Sequence, residues 1–188
     1  PASLSPTNAG LKEKSADPGE GEWVLTDKIE IGKPYVIVAD GKYAMTNAAV
    51  SIPGSNYYGT DTTLGSAEVE IAGEYITSPV TDSMQWTFAD ASAALTAADG
   101  MPVYYLQDLS GKYAHRLSGQ NQGEAGLVMD ANPYSTARYN AWSAKAYDGL
   151  DATYCLYINT EREHNGSSGD YPFHLYGRAE GFAGPGHG

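Results

Sequence analysis

From Trp23 onward, apolar positions come in short runs rich in tyrosine, tryptophan and β-branched residues, and no stretch repeats on a helical period. Trp23-Val-Leu-Thr, Tyr35-Val-Ile-Val, Tyr43-Ala-Met-Thr, Glu68-Val-Glu-Ile and Gln85-Trp-Thr-Phe are such runs, each about the length of a short strand. Asp40-Gly41, Pro53-Gly54, Gly73, Ser78-Pro79 and Asp99-Gly100 punctuate them with residues that set turn dihedrals. The one helix-like stretch, Ala89 to Ala98, is too short to be stable by itself and predicts at most a turn or two. Residues 1–22 are rich in Pro, Ser, Gly and charge, which predicts an arm or linker that a neighbouring subunit could hold. Residues 179–188 read as a Gly-rich tail of the same kind, leaving 23–178 as the folded domain.

An internal repeat refines the expected fold. Tyr35-Val-Ile-Val-Ala-Asp-Gly41-Lys42-Tyr43-Ala44 matches Tyr104-Tyr-Leu-Gln-Asp-Leu-Ser-Gly111-Lys112-Tyr113-Ala114, and a weaker third copy begins Tyr154-Cys-Leu-Tyr-Ile-Asn. Each copy follows a tryptophan run, and Trp23, Trp86 and Trp142 are spaced by 63 and 56 residues. Three strand-turn-strand units predict an all-β closed barrel with pseudo-three-fold repeats, β-trefoil-like, in which the Trp23 strand closes against Phe173-His-Leu-Tyr176. A β-sandwich is the alternative.

The same residues carry a resemblance. The Tyr-rich strand leading to Asp-Gly-Lys-Tyr-Ala, the Trp-Thr-Phe run and Tyr-Tyr-Leu-Gln-Asp-x-x-Gly-Lys-Tyr together resemble the repeat-type β domains of secreted and surface-anchored proteins of gut-type bacteria. They are also similar to ricin-like β-trefoil modules, over roughly residues 23–178. The Gln-x-Trp signature of those lectins is not repeated here, which weakens any transfer of their sugar sites.

Composition narrows the function class. Asp and Glu number 23 against 11 Lys and Arg, a formal net charge of −12, which leaves no basic stripe for phosphates and disfavours nucleic acid and anionic membranes. No stretch approaches the roughly 18 apolar residues needed to span a bilayer. Fifteen tyrosines and 22 glycines with only 18% charged residues suit strands and tight turns, and this palette predicts an extracellular or cell-surface protein. Cys155 has no partner within the chain for a disulfide and sits in an apolar run, where a small buried hydrophobe is expected.

Catalytic chemistry finds little purchase. No Gly-x-Ser-x-Gly elbow and no phosphate-cradling glycine loop occurs. His115, His164, His174 and His187 show no zinc-type spacing, and His115 and His174 are expected to point outward or cap a hydrogen bond. Glu68 and Glu70, alternating with Val69 and Ile71, read as a solvated face. Asp61-Thr-Thr and Asp130-Ala-Asn132 lack the ligand series of a calcium loop. Lys28, Asn159 and a nearby Glu could be cast as an isopeptide crosslink, which would require them to sit side by side. No cofactor and no metal is therefore expected, and no enzyme.

Loop aromatics are the positive signal. Tyr57 and Tyr58 lie in the Gly/Ser/Asn stretch from Pro53 to Gly65, and Tyr134 and Tyr139 lie between Asp130 and Trp142. Tyrosine offers a flat apolar face with a polar tip, suited to sugar rings and protein surfaces alike. Asn56, Asp61, Asn132 and Arg138 would add hydrogen bonds. Two readings follow: a structural or adhesive module of a bacterial surface assembly, whose partners are further copies or other surface proteins, and a glycan-binding module.

Overall fold

A computed structural model describes residues 9–14, 23–26, 28–51, 62–93, 102–116, 124–133, 141–146, 154–158, 173–174 and 176–185. They form seventeen strands: β1 Ala9–Lys14, β2 Trp23–Thr26, β3 Tyr35–Ala39, β4 Tyr43–Ser51, β5 Thr62–Glu68, β6 Ile71–Ala72, β7 Tyr75–Ile76, β8 Trp86–Asp90 and β9 Tyr104–Asp108, followed by β10 Tyr113–Arg116, β11 Glu124–Ala125, β12 Leu127–Asp130, β13 Ala141–Ala146, β14 Tyr154–Ile158, β15 Phe173–His174, β16 Tyr176–Arg178 and β17 Gly181–Pro185. The chain is all-β, and its strands join into one connected antiparallel sheet. A single 3-10 turn, Asp82–Met84, is the helical element among the described residues. Ala89 and Asp90, expected to open a helical turn, extend β8 instead, because the strand carries Trp86 and Phe88 into the core.

The ladders run as follows. β1 lies between β2 and β3, with Leu11 opposite both Thr26 and Ile37. β3 passes to β4 at Val38 and Ala39 and meets β8 where Tyr35 faces Trp86. β8 pairs along its whole length with β9. β9 passes to β10 at Leu106 and Gln107 and meets β13 where Tyr104 faces Trp142. β13 pairs along β14, and β14 pairs with β15 at Tyr157 and Ile158. Three further pairings, β4 with β5, β10 with β12 and β16 with β17, form hairpins, and β17 also reaches β5 and β11.

Two expectations change here. The ring is not closed by hydrogen bonds: among the described residues no ladder joins β14 to β1, although the two strands run within 8 Å of each other by their Cα atoms. Nor does the Trp23 strand close against Phe173–Tyr176. β2 pairs with β1 and β7, because Trp23 caps a small core of its own with Val36, Val38, Ala44, Val69, Ile76 and Met84. Trp86 and Trp142 sit instead in the main core, with Leu11, Tyr35, Ile37, Met45, Leu64, Phe88, Leu106, Leu127 and Phe182.

Segments at both ends of the described chain enter the sheet. Within the segment expected to be an arm, Ala-Gly-Leu-Lys-Glu-Lys forms β1, since Leu11 has a core to enter and is only 1% exposed. Within the expected tail, Gly-Phe-Ala-Gly-Pro forms β17 around a fully buried Phe182. The Asp40-Gly41 signal acts as read: both residues take positive φ, 55° and 59°, and the Lys42 amide donates to the Ala39 carbonyl at 3.1 Å. The stretch read as loop up to Gly65 ends earlier, at β5, whose Leu64 is buried.

Candidate functional site

Of the residues expected to contact a ligand, Asn132 is described. It is exposed just beyond β12, and its backbone N–H donates to Asp130 Oδ1 at 3.5 Å. Tyr57, Tyr58, Asp61, Tyr134 and Tyr139, with Asn56 and Arg138, lie outside the described residues.

What it does assemble is a series of buried polar groups, each spent on holding strands. Asp108, at the end of β9, is 4% exposed. Its Oδ1 accepts from the backbone N–H groups of Ser110 and Lys112 at 3.0 Å each and from Ser110 Oγ at 2.6 Å, and its Oδ2 accepts from Asn47 Nδ2 at 3.0 Å. Burial alone would raise its pKa, but these donors prefer the carboxylate and bring it below the usual aspartate value. The carboxylate thus shapes the Gly-Lys-Tyr turn after β9 and ties it to β4. Sequence reading passed over Asp108 because an Asp at a strand end looks like ordinary turn punctuation.

Lys12 of β1 is buried, and its ammonium donates to the Glu74 carbonyl at 2.8 Å. Burial pushes its pKa down, partly offset by the Glu74 charge. That carbonyl also accepts from the Leu25 amide, so the turn between β6 and β7 is clamped to both β1 and β2. Next along β1, Glu13 pairs with Lys33, whose Nζ also reaches Glu30 at 3.1 Å. Hydrogen bonds from Lys33 to Glu13 and Glu30 raise the pKa of that ammonium. The trio is an ion-pair clasp that ties β1 to the turn before β3. Of the pair considered for an isopeptide, Lys28 is exposed and Asn159 lies outside the described residues.

Of the two alternatives expected for His115, an outward side chain or one that caps a hydrogen bond, burial removes the first. His115 is 4% exposed, with Nε2 3.6 Å from Asp130 Oδ2, so it faces inward between β10 and β12. Glu68 and Glu70 are exposed on either side of buried Val69, as their alternation predicts, and Glu68 meets Lys42 at 3.4 Å. Among the described residues, no three His, Cys, Asp or Glu side chains gather as metal ligands.

Thr63 joins the segments of the chain farthest apart in sequence. Buried on β5, it accepts from the Leu127 amide of β12 at 3.1 Å and donates its hydroxyl proton to the Phe182 carbonyl of β17. Leu64, Leu127 and Phe182 all belong to the main core, and Leu64 faces Phe182 across β5 and β17. One hydroxyl therefore joins three hairpins drawn from widely separated parts of the chain. The arrangement fixes backbone. Compared with protein-family models, with curated proteins and with solved structures, the chain matches none.

Proposed function

We propose that this protein is a non-catalytic structural or adhesive module of an extracellular bacterial surface assembly, self-associating or joining other surface proteins. The carrying observation is the use made of buried polarity: Lys12, Thr63 and Asp108 each bond to backbone and tie distant strands together. A scaffold in which Lys12, Thr63 and Asp108 are committed to backbone in this way is suited to keep its shape. The acidic, tyrosine- and glycine-rich composition supports a soluble outer surface.

The finer fold belongs to the same proposal: a β-trefoil-like, pseudo-three-fold arrangement of six long strands and three hairpins, with the seam between β14 and β1 left open. Three recurrences support it. β1–β3, β8–β9 and β13–β14 are long ladders of the same kind, and Tyr35–Trp86 and Tyr104–Trp142 link them in the same register. Each core tryptophan donates its indole N–H to the carbonyl of a hairpin strand, Trp86 to Met45 at 3.0 Å and Trp142 to Ala114 at 3.1 Å. The hairpin strands β5, β12 and β17 each send one large apolar side chain, Leu64, Leu127 and Phe182, into the main core.

Negative-stain electron microscopy of the intact chain at high concentration tests the functional reading. Filaments or regular arrays are the expected result. Isolated particles at every concentration would remove the structural-subunit reading and direct the next experiment to a glycan screen with Tyr58→Ala and Tyr134→Ala.

A further inference from the structure

β1 is unusual in being near one end of the chain and yet interior to the sheet. It makes ladders on both of its edges, with β2 through Lys14↔Trp23 to Leu11↔Thr26 and with β3 through Glu13↔Tyr35 to Ala9↔Ala39. Among the described residues β2 and β3 do not pair with each other. The slot between them is therefore filled by β1 alone, and an empty slot would leave two rows of unpaired backbone groups and a hole in the core where Leu11 stands. Lys12 reaching the Glu74 carbonyl and Glu13 reaching Lys33 add side-chain contacts that would hold any strand of this sequence in register.

The slot constrains the strand's sequence, not which chain supplies it. β1 is joined to β2 only through residues 15–22, Ser-Ala-Asp-Pro-Gly-Glu-Gly-Glu. Eight extended residues span up to roughly 28 Å, enough to carry β1 across to an adjoining molecule. Among the described residues Ile31 and Leu109 are the large apolar side chains left exposed, and they lie in separate turns. Strand exchange requires no apolar face: every contact it makes is one the fold already contains.

We infer that β1 is exchanged between copies, residues 9–14 of one chain occupying the β2–β3 slot of a second copy of the same chain. The inference deepens the proposed self-association and rests on it. It names the main-chain ladder as the joint.

Glu13 and Val24 face each other across β1 and β2, so a disulfide between them reports which chain fills the slot. In full-length protein carrying Cys155→Ser, one isotope-labelled sample bears Glu13→Cys and one unlabelled sample bears Val24→Cys. The two are mixed without denaturant over a range of concentrations, oxidised, and mapped by mass spectrometry. A labelled–unlabelled 13–24 disulfide whose yield rises with concentration is expected. Its absence, while the double variant Glu13→Cys/Val24→Cys forms the bond within one chain, overturns the exchange. Sedimentation of the unsubstituted chain gives a second measurement. Oligomers without the mixed disulfide overturn strand exchange and leave the structural-subunit reading standing, and monomer at every concentration overturns both.

Discussion

Asp108 shows how one side chain can organise a turn that sequence inspection takes for granted. Its four acceptor contacts replace water lost on burial, and removing the carboxylate would strand the Ser110 and Lys112 amides. Asp108→Ala should cost about 1–3 kcal/mol at neutral pH, measured by urea unfolding. The pH dependence follows from the sign of the shift. The folded pKa lies below the unfolded value near 3.9, so the contribution is complete above that value and fades as pH falls through the folded pKa. The gap between wild type and Asp108→Ala should therefore narrow in acid; a constant gap down to strongly acidic pH would count against the assignment. Asn47, the partner from β4, was equally silent in the sequence, because only the fold brings residues 61 apart into contact.

At the scale of elements, the strands themselves were largely readable. Trp23–Thr26, Tyr35–Ala39, Tyr104–Asp108 and Tyr154–Ile158 form where aromatic and β-branched residues cluster, and Asp40-Gly41 turns the chain as its dihedral preference demands. β1 and β17 were not readable, since Ala-Gly-Leu-Lys-Glu-Lys and Gly-Phe-Ala-Gly-Pro have little strand propensity. Their conformation comes from ladders on neighbouring strands and from one anchoring side chain each, Leu11 and Phe182. The joint among β5, β12 and β17 rests on Thr63. Thr63→Val keeps the shape but orphans the Leu127 amide and the Phe182 carbonyl, and should lower stability by about 2 kcal/mol in chemical denaturation. A variant as stable as wild type would show that the hydroxyl is dispensable there.

For the molecule as a whole, the architecture turns on the seam between β14 and β1. From Leu11 to Glu13 both edges of β1 are paired, with β2 and β3, so among the described residues the backbone left without a ladder at the seam is that of Tyr154–Leu156 on the side away from β13. Rapid amide hydrogen exchange on that edge of β14, beside slow exchange in β1, is the expected outcome. Slow exchange in both strands would show that the seam is bridged. The tyrosine loops enter at this scale too: Asn132 is placed at the surface, but the proposed sugar contacts at Tyr57, Tyr58, Tyr134 and Tyr139 are outside the described residues and stay a matter for binding measurements.

By itself, the chain's sequence determined the strand-and-turn alphabet, the acidic surface and the Gly-Lys-Tyr repeat, because these depend on local dihedral preference and on charge. Tertiary structure alone decided that Trp23 belongs to a different core from Trp86 and Trp142, although all three precede a tyrosine strand. It alone placed β1 inside the sheet and turned His115 inward. The reason is that burial and ladder pairing are properties of neighbours far away in sequence, which compensate weak local propensity and redirect side chains that periodicity would have left in water.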